Sequence, residues 1–275
     1  MRMGARIGLF LLILSLFSCF PSQKNNANPR AASHDDEAAQ LAVVMRNAEL
    51  PAALSAKIRA AAAQNAAFMA DLYACLEGDR HLRVLVDKQH SLPPGYAPSD
   101  LVTLIDGPYR VSRAGLTLRK AAAAALSEMA AEARKSGITL VASSTYRSYD
   151  YQVGVYNRNV REMGQEAADR ESARPGHSQH QTGLVVDFGS IDDSFALTAA
   201  GRWMTANASR FGWSLSYPDG YEAVTGYRWE SWHYRYVGKE LAAFIDRYFD
   251  GIQQYALRFI HEWELYTMKA GSSAL

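Results

Sequence analysis

Cysteine is nearly absent from this chain: 275 residues hold two, Cys19 and Cys75. Two cysteines make no disulfide framework, so stability must come from an apolar core. A charge of one sign is lacking as well. The formal net charge is +1, and no long basic run occurs outside the N-terminus. Nucleic-acid binding takes a concentrated basic face to neutralise phosphates, so that partner is excluded. No apolar run reaches the roughly 20 residues that cross a bilayer as a helix, so none reads as an ordinary transmembrane span. Internal repeats and low-complexity tracts are missing apart from a bias to alanine. What remains is ordinary globular composition, 48% hydrophobic and 21% charged. It suits one sizeable domain, alone or with a helical extension.

The longest apolar run, 7–17, follows Arg2 and Arg6 and ends at Ser18-Cys19. A basic start, a short apolar core and a small residue at the cut read as a secretory signal over 1–18. The ending Leu16-Phe17-Ser18-Cys19 resembles a bacterial lipobox. That resemblance implies a lipid on Cys19 and an exported lipoprotein, held on the membrane and facing the periplasm or the cell exterior. Plain secretion and an uncleaved anchor are the competing readings. Residues 19–36 carry two prolines and few apolar groups and read as a flexible tether. Cys75 lies in a helical apolar stretch, where a free thiol packs as a small hydrophobe.

The rest of the chain predicts an α+β fold, a small antiparallel sheet flanked by helices with an N-terminal helical extension. Alanine, leucine and glutamine over 37–80 point to two helices, the second opened by Pro51. Residues 81–250 form the catalytic domain of this reading, and 251–275 a last helix and tail. Within the domain, 81–87 reads as a strand, and the prolines and glycine of 92–98 as an ordered loop. Residues 116–136 predict a long helix that stops at Gly137. A strand over 138–144, a helix over 150–163 and a strand over 184–188 follow. Then come a helix over 203–211, an aromatic strand over 227–237 and a helix over 239–249.

One segment concentrates chemistry: Arg174-Pro175-Gly176-His177-Ser178-Gln179-His180-Gln181-Thr182-Gly183-Leu184-Val185-Val186-Asp187-Phe188. Asp187 stands in an otherwise apolar strand, and a buried carboxylate is costly unless paired or bound to metal. Strand alternation sets Asp187 and Val185 on one face, opposite Leu184, Val186 and Phe188. An imidazole from the preceding loop and this carboxylate would make two-thirds of a zinc site. The third ligand is sought in Trp229-Glu230-Ser231-Trp232-His233. In a continuous strand, Glu230 and His233 would face opposite ways, so both reach one metal only across a turn or bulge. Three protein ligands leave a position for water, as in catalytic zinc, and Glu230 could move its proton.

These motifs resemble the VanY-type zinc D-alanyl-D-alanine carboxypeptidases, kin of the D-Ala-D-Ala dipeptidases and L,D-carboxypeptidases. The family's Ser-x-His-x-x-Gly-x-Ala-x-Asp corresponds to Ser178, His180, Gly183 and Asp187, with Val185 in place of alanine. Its Glu-x-x-His corresponds to Glu230 and His233, ahead of Tyr236-Val237-Gly238. Its Tyr-Arg-Ser with a later glutamine corresponds to Tyr146, Arg147, Ser148 and Gln152. Val86-Asp87-Lys88 and Tyr96-x-Pro98-x-Asp100-Leu101 are similar to its opening stretch. Ser231 and Ser216 stand where proline and arginine are usual.

The resemblance implies one zinc ion per chain on His180, Asp187 and His233, with Glu230 as general base and Arg147 stabilising the oxyanion. His177 is the competing loop histidine, and the family pattern favours His180. Ser178 and Gln152 would bind substrate, a peptidoglycan stem peptide ending in D-alanine. D,D- and L,D-cleavage both stay open. So do a related endopeptidase or dipeptidase and a non-catalytic wall-binding lipoprotein.

Overall fold

The computed structural model describes residues 34–64 and 67–272. The signal, Cys19 and most of the tether therefore lie outside the described residues. No helix among the described residues is long and apolar enough to cross a membrane.

The N-terminal region is three helices rather than two: α1 His34–Asn47, α2 Ala52–Gln64 and α3 Ala67–Glu77. α1 starts inside the segment expected as tether. Leu41, Val44, Met45, Ile58, Phe68 and Leu72 are buried against apolar residues of two C-terminal helices, α9 Lys239–Tyr248 and α10 Gln253–Ser272. Cys75 is buried in this same core, and burial pushes its thiol up to about 12. The expected core thiol is what the fold contains.

Residues 81–87, expected as a strand, pair with no strand among the described residues. Arg80–Arg83 is a 3₁₀ turn whose start is capped by Asp79, accepting from His81 N at 2.9 Å. The carbonyls of Leu82 and Val84 accept from the Arg235 guanidinium, at 3.1 and 2.8 Å. A side chain has taken the acceptors that a neighbouring strand would have used.

β1 Leu101–Thr103 and β3 Thr117–Arg119 form an antiparallel ribbon, and β2 Arg110–Val111 lies between them in sequence. The long helix expected from 116 begins only at Lys120, because 117–119 is committed to that ribbon. This helix, α4 Lys120–Lys135, ends as expected at a glycine, Gly137, whose φ of 72° suits a helix C-cap. Then come β4 Val141–Ser144, α5 Tyr149–Met163, α6 Gln165–Glu171, β5 Val185–Phe188 and α7 Ala199–Asn207. β6 Trp213–Leu215, α8 Glu222–Thr225 and β7 His233–Tyr236 complete the domain before α9.

The main sheet runs β2-β4-β5-β7-β6. Its pairs are antiparallel, as expected, except that the two-residue edge strand β2 joins β4 in parallel. One face carries Val186, Phe188, Trp213 and Tyr234 into a second core with Leu126, Met129 and Met204. The opposite face of β5 and β7 carries Val185, Asp187, His233 and Arg235, where Asp187 pairs with His233. The alternation read from the sequence holds, and it leaves a polar face clear of that core.

Candidate metal centre

Asp187 is 4% exposed and directly opposite His233 on the adjacent strand. Its Oδ1 is 3.2 Å from His233 Nδ1 and its Oδ2 is 3.2 Å from His180 Nε2. His180 arrives from a 3₁₀ turn, Gln179–Thr182, that closes at Gly183 with φ of 70°. A Cβ at Gly183 would come within 3.0 Å of both Arg119 and Leu101, so glycine is required by conformation and by space. The Nδ1–H of His180 donates to the Thr145 carbonyl at 2.6 Å, which leaves Nε2 as the lone-pair nitrogen aimed at Asp187.

Glu230 and His233 reach the same place because a turn at 231–232 separates them. His233 N donates to the Glu230 carbonyl at 3.1 Å, and Glu230 Oε2 lies 3.1 Å from His233 Nδ1. The structural condition posed by their three-residue spacing is met. Tyr217 walls the site with its ring 4.6 Å from that of His233.

The electrostatics follow from burial and proximity. Burial works to raise the Asp187 carboxyl, but the two imidazoles outweigh it and hold the group well below the carboxylate range. His180 falls to about 4, through burial and then the Arg147 guanidinium. Burial opposes charge on His233 too, yet Asp187 and Glu230 carry it up to about 9. Burial raises Glu230, offset in part by His233.

These residues fit a metal. Ligand atoms of His180, Asp187 and His233 all lie within 4.8 Å of one another, and all three residues are buried. His180 Nε2, His233 Nε2 and Asp187 Oδ1 have no hydrogen-bond partner among the described residues, which is costly for buried polar atoms unless something binds them. Two imidazoles and a carboxylate are a zinc donor set.

Arg147 follows β4 and points into the same space. Its Nη1 donates to Gln152 Oε1 at 3.0 Å, Nη2 is 3.9 Å from Asp187 Oδ2, and Nε has no partner among the described residues. Gln152 is itself fixed, its amide donating to the Ala173 carbonyl at 2.7 Å. Ser178 is buried immediately before the His180 turn. A cavity of about 350 Å³ is lined by Arg147, Gln152, Ser178 and Glu230 together with His180, Asp187 and His233.

His177 goes elsewhere, its Nδ1 donating to the Asp87 carbonyl at 2.7 Å. Ser216, at the usual arginine position, donates to Gln179 Oε1 at 2.7 Å. Sequence reasoning missed Tyr217, Tyr227 and Trp232 as cavity walls, as well as the cavity arginines Arg113, Arg158 and Arg228. Tyr217 follows β6, whose three residues are too few to show a period.

The model of the VanY family, D-alanyl-D-alanine carboxypeptidase, matches residues 115–239. YodJ of Bacillus subtilis, provisionally named a carboxypeptidase, is 38% identical over 62% of this chain and 65% of its own length. A D-alanyl-D-alanine carboxypeptidase of Enterococcus faecium is 30% identical over 62% of this chain and 58% of its own. The chain thus spans less than two-thirds of either curated relative. Among solved structures, the LD-carboxypeptidase LdcB is 38% identical with a TM-score of 0.55, over 61% of this chain and 85% of that one. A mutant of the vancomycin-resistance D,D-pentapeptidase VanY, solved with Zn(II), is 29% identical with a TM-score of 0.55, over 65% and 99%. The zinc in that relative and the buried triad here point to the same metal. By these likenesses, this chain belongs to the VanY family of D-alanyl-D-alanine carboxypeptidases.

Proposed function

We propose that this chain is a carboxypeptidase with one zinc per molecule that removes the C-terminal D-alanine from peptidoglycan stem peptides. The observation that carries the reading is Asp187, buried between His180 and His233 at the floor of a cavity that also holds Glu230 and Arg147. Zinc held by those three residues would supply Lewis-acid polarisation of water and of the scissile carbonyl.

The chain's own groups do the rest. Glu230, kept basic enough by burial, takes a proton from the attacking water and returns it to the leaving amine. Arg147 turns its guanidinium toward the carbonyl oxygen and stabilises charge that develops there. Gln152 holds that guanidinium in place, and Ser178 offers its hydroxyl to the substrate's terminal carboxylate. Trp232, Tyr217 and Tyr227 wall the cavity and limit water around the developing charge.

The signal at 1–18 and Cys19 support export and a lipid anchor, with the catalytic domain held outside the membrane. Incubating the protein that lacks residues 1–33 with defined penta- and tetrapeptide muropeptides, and weighing the products, tests the activity and separates D,D- from L,D-cleavage. Release of no D-alanine from either substrate would end this reading.

A further inference from the structure

α5 gives the cavity one whole face. Tyr151, Gln152, Val155, Arg158, Asn159 and Met163 all line it, at the three- and four-residue spacing of a single helix side. Gln152 is at the buried end, bonded to Arg147, and Arg158 lies just under two turns along. At about 1.5 Å per residue, Arg158 is roughly 9 Å down the axis from Gln152. An extended peptide covers about 3.3 to 3.6 Å per residue, so one laid along α5 with its scissile bond beside Gln152 would pass Arg158 two or three residues ahead of that bond.

Arg158 is exposed, and no carboxylate of the described residues pairs with it, Glu162 on the next turn included. Arg113 is equally free of ion pairs among the described residues. It enters the cavity from the loop between β2 and β3 and borders a neighbouring hollow of about 330 Å³. The other cavity arginines are engaged, Arg228 by Glu171 and Asp193, and Arg147 by Gln152 and Asp187. The cavity's acids are accounted for too: Asp187 and Glu230 belong to the floor, and Glu171 is paired with Arg228. An exposed arginine is ordinarily a solvated group worth little. Two that enter one concave site with no acid to neutralise them are different, because the guanidinium fork matches a carboxylate.

We propose that the outer cavity selects peptides with a free carboxylate two or three residues ahead of the scissile bond. Arg158 and Arg113 are the groups that recognise it. The proposal rests on the carboxypeptidase reading and adds a substrate class to it: acidic stem peptides over the same peptides with that acid amidated.

The test uses the full chain in detergent and two synthetic peptides ending in D-alanine, identical except for a free acid or an amide at that residue. The acid peptide should show a kcat/KM about fivefold or more higher, carried mainly by KM. The advantage should shrink in about 0.5 M salt, since exposed charges are screened. R158Q, R113Q and the double variant should bring the ratio toward one, and R158K should keep part of it. Equal rates on acid and amide in the wild type, or an unchanged ratio in the double variant, would overturn the proposal. Calorimetric binding of the same peptides separates this failure from that of the activity. If neither peptide is cleaved, the carboxypeptidase reading falls. Tighter binding of the acid peptide, lost in the double variant, would then still uphold the selectivity, and equal binding would end it.

Discussion

Gln152 holds Arg147 by a 3.0 Å hydrogen bond from Nη1 to its side-chain oxygen, while its own amide nitrogen is tied to the Ala173 carbonyl. Both ends of the glutamine side chain are thus engaged within the protein, which makes it a brace for the guanidinium. Gln152→Ala should lower kcat by about tenfold to a hundredfold, the scale set by roughly 1 Å of misplacement, and leave KM nearly unchanged. Steady-state kinetics on a D-alanine-terminated peptide decide the matter. A rise in KM alone would mean that Gln152 binds substrate directly.

Glu230 sits against His233, 3.1 Å from its ring nitrogen, yet the triad is complete without it. Glu230→Ala should keep stoichiometric zinc and lose about 10²-fold to 10⁴-fold in turnover. His233→Ala should lose metal and activity together. Metal analysis beside D-alanine release distinguishes the two. A Glu230→Ala protein without zinc would make the glutamate a ligand.

Asp87 ties the opening of the domain to the C-terminal helix. Its Oδ1 accepts from the backbone N–H groups of Gln89 and His90 at 2.8 and 2.9 Å, and its Oδ2 accepts from Gln254 at 2.6 Å. Burial raises its carboxyl, but the N–H groups of Gln89 and His90 together with the His90 ring bring it below the ordinary carboxylate value. A depressed carboxyl contributes stability that is present above the unfolded value and lost as pH falls through the folded one. Asp87→Asn should therefore cost about 1 to 3 kcal/mol at neutral pH. The gap from wild type should narrow as pH falls below about 4. Urea melts at pH 7 and in acid measure both. A gap that stayed constant into acid would show that charge at Asp87 is irrelevant.

The segment Leu16-Phe17-Ser18-Cys19 carries the anchoring proposal. Cys19→Ala protein should leave the membrane fraction and appear soluble after export, because the acyl chains that would hold it have no attachment point. Fractionation with an antibody against the chain measures this. Retention of the variant on membranes would place the anchor elsewhere.

Much of the site was legible because its chemistry violates the pattern around it. Asp187 stands out in Val185-Val186-Asp187-Phe188 as a charge where none should be buried, and Glu230 with His233 posed a geometric condition that a turn could satisfy. The two histidines of the 177–180 loop were separated by family likeness rather than by physics. Only the fold reveals that His177 is spent on the Asp87 carbonyl. Fold class was readable too, but short strands were not. Arg110–Val111 and Trp213–Leu215 are shorter than any periodicity, and Arg110–Val111 forms the parallel pair that composition could not announce. The false strand at 81–87 failed because its carbonyls answer to Arg235, some 150 residues away, a partner with no local signature.

The N-terminal helices have a practical meaning for anyone who wishes to cut this protein down. The family-matched stretch, 115–239, stops at the first residue of α9 and includes none of α1–α3. Yet Phe68 lies edge-on to Tyr248 and Phe259, with ring centroids 4.9 and 6.1 Å away, and Ile58 and Leu72 are wholly enclosed beside them. Shearing off residues 34–77 would bare a greasy wall on α9 and α10 broad enough to make fragments stick to one another. A fragment that starts at residue 81 and keeps α9 and α10 should therefore aggregate on expression, whereas one that retains α1–α3 keeps that wall covered.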